Sequence, residues 1–167
     1  MLEYPLLLVF PVAMAFAGAM DLLTFKIPNS IPLALLLAFS FAAPLAGMPW
    51  VQFASHFGAG ALMLAIGVFM FARGWLGGGD AKLIAAAALW LGFEHLLSFL
   101  VWTAVFGGVL AFAMLLFRRV LPPMWLMKQQ WALRLHDPRQ GIPYGIALGG
   151  AGLLIYPSVS WLPVISG

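Results

Sequence analysis

Residues 80–117 read DAKLIAAAALWLGFEHLLSFLVWTAVFGGVLAFAMLLF. A membrane-spanning helix needs about 20 apolar residues at a rise of about 1.5 Å each, so this run is long for a single crossing. It divides at Glu94 and His95 into two expected spans, residues 80–93 and 96–117. The first has 14 residues, about 21 Å of helix, short of a hydrocarbon core of about 30 Å. A local thinning of the bilayer or a wet cavity at one end would close that gap. The alternative is one helix continuing through Glu94 and His95.

Four more apolar stretches lie on either side: Tyr4–Met20, Ile31–Ala46, Phe53–Ala72 and Ile142–Trp161. Across 167 residues the apolar fraction is 64% and the charged fraction 8%, against about 45–50% and about 25% in an ordinary soluble domain. So few charges cannot cover the surface of a soluble globule, and intrinsic disorder needs the opposite composition. There is no cysteine, which excludes a disulfide scaffold, a thiol nucleophile, a Cys-ligated zinc and an iron–sulfur centre. The expected fold is an all-α, polytopic membrane protein with six transmembrane helices, because backbone in lipid must satisfy itself. Residues 1–167 read as one membrane-embedded domain, without internal repeat or low-complexity linker.

The basic residues set the orientation. Lys26 lies between the first and second spans, and Arg73 and Lys82 bracket the third connection. Arg118, Arg119, Lys128, Arg134 and Arg139 lie between the fifth and sixth. These connections share one side, and together they hold all eight Lys and Arg. By the positive-inside rule that side is cytoplasmic, and both termini face outward. The N-terminus lacks the basic segment of a signal peptide, its early charge being Glu3, and is expected to be a true span. The connection from Arg118 to Gly141 carries Met124, Met127, Trp131 and Leu135 at helical spacing. It reads either as a helix in the headgroup region, blurred by Leu126 and Leu133, or as a plain basic loop.

Acids at membrane depth are costly, which makes each a candidate for function. Glu3 is at the outer N-terminus, Asp137 sits beside Arg134 and Arg139, and Glu94 and His95 suit a solvated outer turn. His56 and His136 have similarly plain readings. Asp21 and Asp80 remain. Both fall at the cytoplasmic ends of their spans, at one depth, where a bundle can bring distant helices together. Asp80 suits a helix N-terminus, where the dipole favours an anion. Asp21 ends the first span, where the dipole opposes it, and that misfit points to chemistry.

Asp80 closes Gly77-Gly78-Gly79-Asp80, followed by Ala81-Lys82-Leu83. Three consecutive glycines have no helix-forming value; they permit positive φ and close approach of another backbone. An extended peptide is expected to pair with such a strand-like stretch by main-chain hydrogen bonds. A phosphate cradle fits poorly, because an anion stands at the helix start and no Gly-Lys-Ser/Thr follows. A flexible turn is the plain alternative. After Asp21, Ile27-Pro28 is expected to hold Ile27 extended, with Asn29 or Ser30 capping the next helix.

Two aspartates sharing a site cannot both ionise easily and hold one proton between them. The ionised member can take a proton from water while the protonated one polarises a peptide carbonyl, hydrolysing an amide without metal or covalent intermediate. The pair titrates as a unit. No Ser/His/Asp set competes, and no His-Glu-x-x-His zinc motif occurs. The rival function is a small proton-coupled transporter or channel using the two acids as relays. A structural subunit of a secretion machine would leave the acids unexplained.

Gly77-Gly78-Gly79-Asp80-Ala81-Lys82-Leu83, with Asp21 six residues before Ile27-Pro28-Asn29, resembles the type IV prepilin peptidases, intramembrane aspartic proteases of the GxGD class. Gly141-Ile142-Pro143-Tyr144-Gly145-Ile146-Ala147-Leu148 resembles that family's third recurrent stretch. The resemblance implies that Asp21 and Asp80 are the catalytic pair, and that Gly77, Gly78, Gly79, Lys82 and Tyr144 bind substrate. It implies a prepilin or pseudopilin substrate with a short basic leader, cleaved after a glycine at the cytoplasmic face of the bacterial inner membrane. Partners would be that substrate and the lipid bilayer, without nucleic acid. Lys82 and Tyr144 match motif positions without a role that the residues themselves disclose. Lacking the cysteine-rich zinc-binding loop of many members, the chain is similar to the short, protease-only form of Flp/Tad-type pili. Methyltransferase activity, a methyl-donor cofactor and a metal are accordingly not expected.

Overall fold

The computed structural model describes residues 3–120, 123–124, 128–138, 140–159 and 161, with side chains from residue 8 onward. The expected features at Met127, Leu126 and Arg139 lie outside the described residues, as does the side chain of Glu3. Among the described residues the secondary structure is wholly helical. The helices are α1 (Glu3–Thr24), α2 (Ser30–Leu45), α3 (Trp50–Ala72), α4 (Gly78–Arg119), α5 (Gln130–His136) and α6 (Gly145–Ile155), the last continued by a 3₁₀ turn, Tyr156–Ser158.

Two helices, Trp50–Ala72 and Gly78–Arg119, are long and apolar enough to cross a membrane, and Leu8–Thr24, Ser30–Leu45 and Gly145–Ser158 are shorter apolar helices. Their outer surfaces are apolar too. Leu8, Val12 and Phe16 on α1, Leu33 and Phe41 on α2 and Val109, Phe112 and Leu115 on α4 all stand exposed. In water such continuous apolar surface would drive aggregation; against acyl chains it is the favoured state.

Register within α1 turns Asp21 inward. Phe10, Met14, Ala17 and Asp21 recur at helical spacing and are all buried, one stripe of the helix. α6 packs along that stripe through glycines. A Cβ on Gly149 would stand 2.8 Å from the Met14 carbonyl oxygen, and one on Gly152 would meet the Met14 side chain at 2.8 Å. The two backbones therefore approach closely, as small residues on one helix face allow.

α4 is two helical segments meeting at Gly92, whose φ of 67° and ψ of 177° are non-helical. That combination is essentially open to glycine alone. The chain reverses there, as the contacts require. Gly107 packs against the Tyr144 ring, and Gly145 packs against Asp21, which is within electrostatic reach of Asp80. A straight helix would put Gly107 about 40 Å from Asp80. The expected break at Glu94 and His95 is thus corrected. Both residues are helical, and the reversal sits at Gly92, where a positive φ is free of Cβ strain. The short segment 80–93 of the sequence reading corresponds to the half of α4 before this break.

Carbonyls just before the break take side-chain donors. His56 Nδ1 lies 2.8 Å from the Leu89 oxygen, and Trp161 Nε1 donates to the Trp90 oxygen at 3.1 Å. A carbonyl has no proton to give, so Nδ1 of His56 carries the hydrogen. Trp90 donates its own Nε1 hydrogen to Leu35 O at 2.9 Å. Phe10, Phe39, Trp90, Tyr156 and Trp161 pack ring to ring around this end. His56 is therefore a buried structural group, stacked on Phe39.

At the opposite end, α5 is only seven residues long. Trp131 and Leu135 lie on it, but Met124 is outside any helix and highly exposed. The Arg118 guanidinium fastens this connection, with Nε donating to Leu135 O at 2.9 Å and Nη2 to Gln140 O and Gly141 O at 2.9 and 3.1 Å.

Candidate active site

Asp21, near the C-terminal end of α1, lies against Gly145 at the N-terminal end of α6 and within electrostatic reach of Asp80 at the N-terminal end of α4. α1 ends just beyond Asp21. Phe25 takes a left-handed φ of 55°, its N–H donating to Asp21 O at 2.8 Å, and the Thr24 hydroxyl donates to Met20 O at 2.6 Å. The helix thus stops within a turn of the acid and fixes its height.

Asp21 is 6% exposed, and its Oδ2 accepts the N–H of Gly145 at 2.7 Å. Gly145 opens α6, where backbone N–H groups lack intrahelical partners and the dipole is positive. The unfavourable C-terminal dipole of α1 is thereby answered by the favourable N-terminal dipole of α6. A Cβ on Gly145 would fall 2.7 Å from Asp21 Cβ and 2.9 Å from Oδ2, so this approach requires glycine.

Asp80 is held from its own helix. Gly77 precedes α4 in an extended conformation, φ −68° and ψ 143°, and Asp80 lies three residues on. The Asp80 carboxyl reaches back to the Gly77 N–H, the reciprocal half of a capping box. A Cβ on Gly77 would sit 2.6 Å from Asp80 Oδ2. The other oxygen, Oδ1, is buried without a hydrogen-bond partner among the described residues. An unpaired buried carboxyl oxygen costs about 1–3 kcal/mol or more. It is the atom of this site that is open to a further partner.

The glycine triplet departs from its expected form. Gly78 and Gly79 are helical, and Gly77 alone is extended; positive φ occurs at Gly74 in the preceding turn. There the N–H groups of Gly74 and Trp75 return to Phe71 O and Met70 O, closing α3. Close backbone approach does occur, but the neighbour is the chain's own Ile27. A Cβ on Gly79 would lie 3.1 Å from Ile27 Cβ and 3.4 Å from its carbonyl oxygen. Ile27 is buried there, and so ties the connection after Asp21 to the start of α4.

The remaining expected residues are placed elsewhere. The Lys82 ammonium donates to Asn29 Oδ1 at 2.9 Å, on a face of α4 about 200° around the helix from Asp80. Asn29 precedes α2 but makes no side-chain cap hydrogen bond, its oxygen being committed to Lys82. Tyr144 precedes α6 and lays its ring against Gly107 of α4. Gly145 had no role of its own at the level of sequence. Its spacing of four from Gly149 is the small-residue signal that marks close helix packing. Among the described residues no group of three or more His, Asp or Glu is arranged to hold a metal ion.

A sequence model of the type IV leader peptidase family matches residues 8–112, which include Asp21, Gly77–Gly79, Asp80 and Lys82, while Tyr144 and Gly145 lie beyond it. No curated protein and no solved structure matches the chain. With a match over most of its length, on a bundle whose outer surface is apolar, this membrane protein belongs to the type IV leader peptidase family.

Proposed function

We propose that the chain is an intramembrane aspartic endopeptidase that removes the leader of Flp/Tad-like prepilins or pseudopilins. The observation that carries this reading is that Asp21 and Asp80 lie within electrostatic reach of each other, each anchored by a backbone N–H, with Oδ1 of Asp80 left without a partner among the described residues. One carboxylate takes a proton from water as the water oxygen bonds to the scissile carbonyl carbon. The other, protonated, donates to the carbonyl oxygen. The tetrahedral adduct then collapses, the C–N bond breaks, and the leaving nitrogen takes a proton from the pair. Asp80 Oδ1 is the atom assigned to the water or the carbonyl.

The same reading places six spans in the bacterial inner membrane, counting the two halves of α4 separately. Both termini lie outside the cytoplasm, and the aspartates stand at the cytoplasmic face beside Lys26, Arg73 and Lys82. The test is co-expression with candidate prepilins and mass measurement of the mature N-terminus. Asp21→Asn and Asp80→Asn are each expected to lower processing by at least about 10²–10⁴-fold, the range for removing a general acid or base, while the protein stays inserted. Full processing by either variant would remove the two-aspartate mechanism.

A further inference from the structure

A groove of about 530 Å³ lies between α2, α3 and the 78–91 half of α4. At 100° per residue, the lining residues Lys82, Ala85, Ala86 and Leu89 fall about 140–240° around that helix from Asp80. The groove is thus on the opposite face from the aspartate pair, and an occupant of it does not touch them. Its walls are apolar, with Leu33, Leu36 and Leu64 also standing exposed at its opening. Its polar groups, Lys82 and Asn29, are together at one end.

Those two side chains define the chemistry of that end. The Lys82 ammonium spends one donor on Asn29 Oδ1, which orients the amide and leaves both its N–H groups to offer. The pair presents positive charge and spare donors, and no Asp or Glu lines the groove. This end is also the end of the bundle that carries Lys26 and Arg73, joined by the contact of Ile27 with Gly79. Basic residues gather at the headgroup level of a bilayer. From there the groove runs down toward Leu89, about 10 Å along the helix from Lys82. An occupant must carry a negative head at the interface and an apolar tail directed into the hydrocarbon.

We propose that this groove binds an anionic phospholipid, with one acyl chain between α2, α3 and α4 and the phosphate on Lys82 and Asn29. The test is native mass spectrometry of the full chain released from micelles containing equal phosphatidylglycerol and phosphatidylcholine. Wild type is expected to retain one phosphatidylglycerol with a preference of about tenfold, the scale of one charge-assisted hydrogen bond. Lys82→Gln should abolish the preference. Ala61→Trp, which fills the groove from α3 without changing charge, should reduce retention of both lipids. Lys26→Gln, an exposed cation outside the groove, should change nothing, and helical circular dichroism checks that each variant is folded. Excess inorganic phosphate should not displace the lipid. Equal retention of the two lipids by wild type, an undiminished preference in Lys82→Gln, displacement by phosphate alone, or a peptide or second protein copy retained instead of lipid would each overturn the assignment.

Discussion

The N–H of Gly145, the first residue of α6, donates to Oδ2 of Asp21, near the last turn of α1, at 2.7 Å. This contact explains how a carboxyl group is accommodated at the unfavourable end of its own helix: a second helix presents its positive dipole end to it. It depends on α1 and α6 touching through glycines. Gly145→Ala would force a methyl group to within 2.7 Å of Asp21 Cβ, so the carboxyl must move. A displacement of about 1 Å at a reacting group costs on the order of 10²-fold in rate. Gly145→Ala is therefore expected to process prepilin about 10²-fold more slowly while remaining folded, measured as initial cleavage rate in detergent. Processing within twofold of wild type would separate Gly145 from the chemistry.

The three glycines before Asp80 should respond unequally to alanine. At Gly77 the new Cβ meets Asp80 Oδ2 at 2.6 Å, although the backbone angles themselves suit any residue. At Gly79 it meets Ile27 at 3.1 Å, a tight contact that must give slightly. At Gly78 it meets only the Phe71 ring, at 3.3 Å, and a side chain can yield. The expected order of lost cleavage is Gly77→Ala largest, Gly79→Ala intermediate and Gly78→Ala smallest, with at least about tenfold between the extremes. Equal losses at all three would point to conformational freedom, rather than to the Asp80 carboxyl, as the reason for the triplet.

Chelators bear on the chemistry separately from any substitution. A site that works by two carboxyl groups draws nothing from a metal ion. Incubation of the purified enzyme with excess EDTA is expected to leave the cleavage rate within about twofold, a change in barrier of less than about 0.5 kcal/mol. Loss of activity that zinc restores would replace the aspartate pair with a metal hydrolase.

What could be read ahead of the structure was whatever follows from periodicity and local cost. Residues 5–20 are apolar almost throughout, so the buried stripe Phe10, Met14, Ala17 and Asp21 emerges only from the packing. The position of Asp21 at the end of that run, and its conflict with the dipole, are legible without it. The partner that resolves the conflict is not, because it depends on how closely α6 approaches. Glycine states only what the backbone is permitted to do, so the sequence suggests a strand-like triplet where the structure has Gly77 extended and Gly78 and Gly79 helical. The capping reach of Asp80 to Gly77 and the packing of Ile27 on Gly79 settle what it does. His56 looked plain because a histidine near a span end shows nothing of the carbonyl it serves 33 positions away.

The reversal of α4 supplies a prediction about stability rather than chemistry. Gly92 sits at φ 67° and ψ 177°, where a side chain costs about 1–3 kcal/mol, and a Cβ there would also lie 2.8 Å from the His56 ring. Gly92→Ala must therefore strain the backbone and push away the group that serves Leu89 O. His56→Leu removes only the second of these, leaving a buried carbonyl unpaired at about 1–3 kcal/mol. Both are expected to lower the midpoint of thermal unfolding in detergent, Gly92→Ala by more. Combined, they should fall short of the sum of their separate effects, because the double variant no longer contains the clash with the histidine ring, although leucine still fills part of its space. Strict additivity would mean that Gly92 and His56 act independently, and that the histidine does not cap the break.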